Sequence, residues 1–121
     1  MRGNRKRVLI AEDDSGLLKV LRVRLEIEGY EVVPAQNGQE ATKLMDSTNP
    51  DILLLDLLMP VMDGFEVLKE LRASSHIPVI AFSANRDLEE KALGLGANVF
   101  IAKPFDPDRI ADKVREFLCY S

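Results

Sequence analysis

Short apolar runs and amphipathic stretches alternate along the whole chain. The runs are Val8 to Ala11, Tyr30 to Ala35, Ile52 to Leu55, Pro78 to Phe82 and Val99 to Ala102. Each has the length of a strand and is too short for a buried helix. Between them the apolar positions recur with a helical period. Ser15 to Glu28 carries Leu18, Leu21 and Leu25 at i, i+3 and i+7, and Leu17 widens that stripe into a face a sheet can cover. Asn37 stands three residues before Glu40, the spacing of a capping box, and predicts a second helix whose Ala41, Leu44 and Met45 share a side. Phe65, Leu68 and Leu71 mark a third. Asp87 with Glu90 predicts the start of a fourth, which Gly96 closes. Asp106 as cap and Pro107 in the first turn open a fifth, followed by Ile110, Val114, Phe117 and Leu118 at i, i+4, i+7 and i+8.

Strands that alternate with helices imply right-handed crossovers and a parallel sheet covered on both faces. Four runs are continuously apolar, as strands buried on both sides are, whereas the second contains Glu31 and Pro34, and a proline cannot donate to a ladder. The second strand is therefore expected at an edge. The order 2-1-3-4-5 puts it there, so the expected class is α/β: a single doubly wound, five-stranded parallel sheet of flavodoxin-like (βα)5 form. No repeat, linker or low-complexity tract interrupts it. One domain over 1–121 is expected, with a core over 7–118 and a basic tail at 1–6.

Composition narrows the function. The 121 residues are 46% hydrophobic and 30% charged with 7 Gly and 6 Pro, an ordinary globular balance that leaves no room for a second unit. The net charge of −4 supplies no global attraction for a polyanion, so no direct nucleic-acid binding is expected. Arg2, Arg5, Lys6 and Arg7 read as a solvated tail. Cys119 is the single cysteine and cannot close an internal disulfide. No apolar run approaches the ~20 residues of a membrane span, and the basic amino end is not followed by a signal peptide's apolar stretch, so a cytoplasmic protein with no membrane partner is expected.

In an open parallel sheet the ligand site lies beyond the carboxyl ends of the strands. Here that edge collects polar residues. The first strand runs into Glu12, Asp13 and Asp14, the third into Asp56, the fourth into Ser83 and the fifth into Lys103. With strands 1 and 3 adjacent, Glu12, Asp13 and Asp56 crowd together, and like charges at that range repel unless a cation joins them. Hard oxygens with room for water suit Mg²⁺. Lys103 offers a point charge and Ser83 a hydroxyl, both suited to a phosphoryl group beside the metal. No GxxxxGK[ST] loop is present to cradle a nucleotide. A carboxylate nucleophile forming an acyl phosphate fits better, and Asp56 is the most central candidate. Acids at strand ends also simply cap helices, which Asp14 or Ser15 can do alone; the convergence of four strands on one rim favours a site.

These residues resemble the receiver domain of two-component response regulators, the CheY-like family, over nearly the whole chain from Val8 to about Leu118. The most specific segment runs from Asp56 to Gly64 and is similar to the family's D-x-x-M-P-x-M-D-G signature. Glu12-Asp13, Pro78-Val79-Ile80 leading to Ser83-Ala84, Gly96-Ala97 and Lys103-Pro104-Phe105 accompany it in order. The resemblance implies that Asp56 accepts a phosphoryl group from a sensor histidine kinase or a histidine phosphotransfer protein. It implies that Asp13, Asp56 and the Leu58 backbone carbonyl hold Mg²⁺, with Glu12 acting through the metal's waters. Lys103 would pair with the phosphoryl oxygens, and its bond to Pro104 would be cis. Ser83 and Phe100 would form the switch. The fourth helix, fifth strand and fifth helix, roughly residues 86–118, would carry the output surface to a downstream protein or effector domain. The chain departs from the commonest pattern at Glu12 (usually aspartate), Ser83 (often threonine) and Phe100 (commonly tyrosine, whose hydroxyl is lost). Leu58 and Asn85 occupy variable positions that flank the site and influence phosphoryl lifetime.

On this reading the chain is not an enzyme beyond its own phosphotransfer and autodephosphorylation. The alternatives are an aspartate-nucleophile phosphatase of small molecules, a flavin or nucleotide carrier, and a degenerate receiver that only binds. The first lacks an acid two residues after Asp56, where Leu58 stands, and the second lacks a phosphate loop, since Ala11 to Gly16 is acidic. The third is disfavoured because every matched site residue is present. His76 reads as an exposed loop residue, Met45, Met59 and Met62 as packing residues, and Cys119 as a thiol without a role. The chain stops three residues after Leu118, which fits both a stand-alone regulator and a receiver excised from a larger protein; Met1 favours a natural amino end.

Overall fold

Five strands and five helices alternate in the computed structural model, which describes residues 5–119. They are β1 (Arg7–Ala11), α1 (Ser15–Ile27), β2 (Glu31–Ala35), α2 (Gly38–Thr48), β3 (Ile52–Asp56), α3 (Gly64–Arg72), β4 (Val79–Ser83), α4 (Glu89–Gly94), β5 (Val99–Ala102) and α5 (Pro107–Leu118). The strands pair in parallel in the order β2-β1-β3-β4-β5, as the strand pattern predicts.

The period of two along each strand sorts the core into two layers. Val8, Ile10, Ile52, Leu54, Ile80, Phe82 and Ile101 face Leu18, Leu21 and Leu25 of α1 and Ile110, Val114 and Leu118 of α5. Leu9, Leu53, Leu55, Val79 and Ala81 face the other way, onto Ala41 of α2, Phe65, Val67, Leu68 and Leu71 of α3, and Ala92 of α4. A fully buried leucine such as Leu21 contributes about 2–5 kcal/mol, measured as its loss on truncation to alanine.

Helix starts follow short polar side chains. The Asp14 carboxylate accepts from the Gly16 and Leu17 amides, Asn37 from Glu40, Asp63 from Glu66 and Asp106 from Asp108, each satisfying an amide that the first turn leaves without a partner.

Three expectations are corrected. The fourth helix does not start at an Asp87 cap: Asn85 caps a 3-10 turn, Arg86–Leu88, by accepting from the Asp87 amide, and α4 then begins at Glu89 with no side-chain cap. The fifth strand is not buried on both sides, because β5 is the second edge and the short α4 buries only Ala92 over it; Val99, Phe100 and Ala102 are half-buried. Arg7 is not tail. It is the first residue of β1, its Nε 2.6 Å from Glu31 and its amide 2.7 Å from the Asp51 carboxylate, and its guanidinium also donates to the Thr48 carbonyl. Arg5 is exposed and Lys6 half-buried, while the rest of the expected tail, including Arg2, lies outside the described residues.

At the amino edge of the sheet, Arg72 ends α3 and ties three segments together. Its Nε and Nη2 donate to the Gly96 carbonyl at 3.0 and 2.8 Å. Nη1 reaches the Ser75 and Ile77 carbonyls at 3.1 and 2.8 Å, and Nη2 reaches Asn98 Oδ1 at 3.1 Å. Burial pulls this guanidinium below the ordinary arginine range.

Candidate functional site

Register assembles the carboxyl edge. Ala11 pairs with Leu55, so Glu12 emerges beside Asp56. Asp56 pairs with Phe82, and Ser83 with Ala102, so Ser83 and Lys103 follow on the other flank. The Lys103 amide donates to the Ser83 carbonyl at 2.8 Å, the Leu57 amide to Phe82 at 3.0 Å and the Glu12 amide to Ala35 at 3.0 Å, which extends the ladder into the site.

Glu12 is fully buried, Asp56 is 3% exposed and Ser83 1%, whereas Asp13 is exposed. Oxygens of Glu12, Asp13 and Asp56 all lie within 4.8 Å of one another. The Lys103 ammonium donates to Glu12 Oε1 at 2.6 Å and to Asp56 Oδ2 at 3.2 Å. The other Asp56 oxygen, Oδ1, accepts from the Leu58 amide at 3.1 Å. The Leu58 carbonyl accepts no backbone bond among the described residues, while its neighbours Leu57 and Pro60 are taken by Gly64 and Met62. Ser83 Oγ accepts from the Asn85 amide at 3.1 Å, which leaves the hydroxyl proton to donate elsewhere. Phe105 packs edge-on against Phe82 at 5.5 Å, and the Lys103-Pro104 bond between them and the site is cis.

The charges do not balance. Three carboxylates face one ammonium, and the Glu12 carboxyl is pushed up to about 8, first by burial and then by Asp56, with Lys103 opposing. Burial pulls the Lys103 ammonium down, but its bonds to Glu12 and Asp56 and their charges outweigh this and raise it. A hard cation bound among these oxygens would offset their excess negative charge. Asp13, open to solvent, and the buried Asp56 offer hard oxygens that suit Mg²⁺, which keeps several waters. Glu12 is engaged by Lys103 and suits a role through such waters.

The sequence-predicted residues Glu12, Asp13, Asp56, Ser83 and Lys103 thus meet at one rim. Phe100 does not touch it: it is half-buried on β5, packed against the core layer of α2, α3 and α4. An open depression of about 420 Å³, lined by Asp14, Leu17, Ala84, Lys103, Pro104 and Phe105, adjoins the rim. His76 and Cys119 are exposed, Met59 is buried, and Met45 and Met62 are half-buried against the core. Sequence reasoning missed the Lys103 to Glu12 ion pair. The only signal for it was the placement of both residues at strand ends, since 91 positions separate them.

Comparison with known proteins bears on the family of the chain. The family model for the response regulator receiver domain matches residues 8–115. A protein described as "Probable transcriptional regulator ycf27" from Cyanophora paradoxa is 37% identical over 117 residues, covering 95% of this chain and 49% of that protein. The alkaline phosphatase synthesis transcriptional regulatory protein PhoP of Bacillus subtilis is 34% identical over 116 residues, covering 93% of this chain and 48% of that protein. The chain spans about half the length of the curated relatives it matches. Among solved structures, a CheY-like receiver domain protein from Methanospirillum hungatei superposes with a TM-score of 0.89 at 30% identity, covering 97% of this chain and 96% of the other.

Proposed function

The chain belongs to the response regulator receiver domain family, and from that premise we propose that it is a phosphorylation-activated switch whose phosphoacceptor is Asp56. The observation that carries this reading is the nearly buried Asp56 carboxylate, gathered with Glu12 and Asp13 within 4.8 Å and held by the Lys103 ammonium.

The chemistry follows from these atoms. An Asp56 oxygen forms a bond to phosphorus as the phosphorus–nitrogen bond of a phosphohistidine breaks, and the departing imidazole leaves as the neutral ring, keeping the proton on its other nitrogen. The donor is a sensor histidine kinase or a histidine phosphotransfer protein. Asp13, Asp56 and the Leu58 carbonyl would hold Mg²⁺, with Glu12 acting through its waters, and the bound ion would supply charge neutralisation for the transferring phosphoryl. Lys103 transfers its contact from the Asp56 carboxylate to a phosphoryl oxygen, a point charge already in place. Ser83 donates its hydroxyl proton to a second oxygen.

Ser83 and Phe100 sit on neighbouring strands, so a pull on Ser83 bears on Phe100 and on the thin cover that α4 gives β5. The surface of α4, β5 and α5 then reports the modification to a downstream protein or effector domain, by a population shift rather than a new fold. Residues 7–118 form the receiver domain. Beyond transfer to and hydrolysis from Asp56 the chain catalyses nothing. No helix among the described residues is long and apolar enough to cross a membrane.

Reduction of the phosphorylated protein with borohydride, which converts an acyl phosphate to an alcohol, followed by peptide mass analysis, tests the acceptor. The mark is expected on Asp56 alone. A mark on Asp13 or Asp63, or none, overturns the assignment.

A further inference from the structure

Val61 carries two costs. Its φ of 71° lies in the left-handed region, which a β-branched side chain rarely enters because Cβ crowds the backbone. It is also 75% exposed, so its isopropyl group meets water rather than core.

The loop around it cannot relax to remove the strain. The Met62 amide donates to the Pro60 carbonyl at 2.8 Å and closes a three-residue turn centred on Val61. On one side Met59 is buried. On the other, a Cβ on Gly38 would lie 2.0 Å from the Met62 carbonyl oxygen, so the first residue of α2 is seated directly against the loop. A Cβ on Gly64 would lie 2.6 Å from both the Asp56 carbonyl oxygen and Leu57 Cα, and the Gly64 amide donates to Leu57 at 3.0 Å. The loop therefore leaves Asp56, rises to Val61 and returns to the same strand end with both feet fixed. Strain held rigidly at the rim of a reactive group points to a role there.

We propose that Val61 is a specificity-determining docking residue: a preorganised apolar knob that a protein phosphodonor receives in an apolar gap beside its phosphohistidine. The inference rests on Asp56 being the phosphoacceptor. With Asp56 only 3% exposed, a phosphoryl group carried on a protein side chain reaches it only if the donor's surface closes over the rim. Leu58, 54% exposed, and the exposed Pro60 stand on that rim with Val61 and make it apolar. A small donor such as acetyl phosphate reaches Asp56 without covering them. The strained turn fixes the knob before contact, so its burial costs little further ordering.

The test compares the wild-type chain with Val61→Asn, since asparagine tolerates the left-handed region and lacks the apolar branch, and with Val61→Ile, which keeps it. Phosphorylation is followed with acetyl phosphate and, at increasing concentration, with a phosphorylated histidine phosphotransfer domain chosen because it labels the wild-type chain. For Val61→Asn the acetyl phosphate rate is expected to stay within about twofold, and the half-saturating concentration of the protein donor to rise about tenfold at an unchanged limiting rate. Its melting temperature is expected to rise by a few degrees, about what relief of one strained residue yields in a domain of this size. Val61→Ile is expected to keep the wild-type half-saturation. An unchanged half-saturation in Val61→Asn, or an equal loss with both donors, overturns the proposal. Failure of acetyl phosphate to label Asp56 in the wild-type chain would instead remove the reading beneath it.

Discussion

Lys103 and Arg72 are both half-buried cations at the ends of the sheet, yet their partners differ in kind. Lys103, at the carboxyl edge, is bonded to two carboxylates, Glu12 and Asp56. Arg72, at the amino edge, is bonded to three main-chain carbonyls and one side-chain amide and forms no ion pair among the described residues. Carboxylates close to one another repel, so a metal ion can replace the ammonium beside them and a phosphoryl group can accept the ammonium's bonds in their place. Neutral carbonyls at the ends of α3 and α4 have no competing partner, so the guanidinium fork has one arrangement. On the proposed function one cation exchanges partners and the other prevents movement, and the fold separates them by the length of a strand.

Truncating the fixed cation should have the largest effect on stability. Arg72→Ala strips three carbonyls of a charged donor and should cost about 3 kcal/mol in urea denaturation, while the folded fraction labels on Asp56 at the wild-type rate. A large loss of labelling with little loss of stability would erase the distinction. Lys103→Ala should do the converse: labelling by acetyl phosphate falls about 10- to 100-fold, with a smaller loss of stability than in Arg72→Ala, because the Glu12 carboxyl, already pushed up to about 8, can take a proton where the ammonium is lost. Mg²⁺ binding should persist in that variant, and its disappearance would mean that Lys103 organises the metal site rather than the phosphoryl group. Asp13→Ala removes an exposed carboxylate proposed to hold the metal, so it should weaken Mg²⁺ by about tenfold or more and leave the urea midpoint in place; wild-type affinity in a metal titration would remove Asp13 from the ligand set. Finally, combining Arg72→Ala with Lys103→Ala should give additive stability losses within about 0.5 kcal/mol, since the two cations share no partner. A larger coupling would show that the two ends of the sheet communicate.

The parts of this comparison differ in how far the sequence reveals them. Pro34 and Glu31 mark β2 as an edge, and the doubly wound order 2-1-3-4-5 puts it there, but the apolar runs alone do not separate the central β3 and β4 from the other edge, β5. Once the order is known, Glu12, Asp13, Asp56, Ser83 and Lys103 fall together because each ends a strand or lies one or two residues beyond it. Pairing inside the cluster is not readable, since whether Lys103 turns to Glu12 or to Asp56 depends on side-chain geometry across 91 residues. Arg72 is invisible for a related reason: one arginine at a helix end has no pattern, and its partners are carbonyls that any residue provides. The start of α4 was misplaced because Asn85, Asp87 and Glu90 all suit a cap, and the 3-10 turn was decided by which side chain reaches an amide. Burial of β5 was overestimated because Val99 to Ala102 is apolar whether or not a six-residue helix suffices to cover it. The strain at Val61 runs against local propensity, which favours glycine or asparagine there.

The central claim is that the carboxyl edge takes a phosphoryl group on Asp56 with a divalent cation's help. Intact-mass analysis after incubation with acetyl phosphate, in Mg²⁺, in EDTA, and with Asp56→Asn in Mg²⁺, tests it most directly. The account predicts a single phosphoryl adduct in the first condition and none in the other two. An adduct that survives EDTA or the substitution, or the absence of any adduct on the folded wild-type chain, would contradict it.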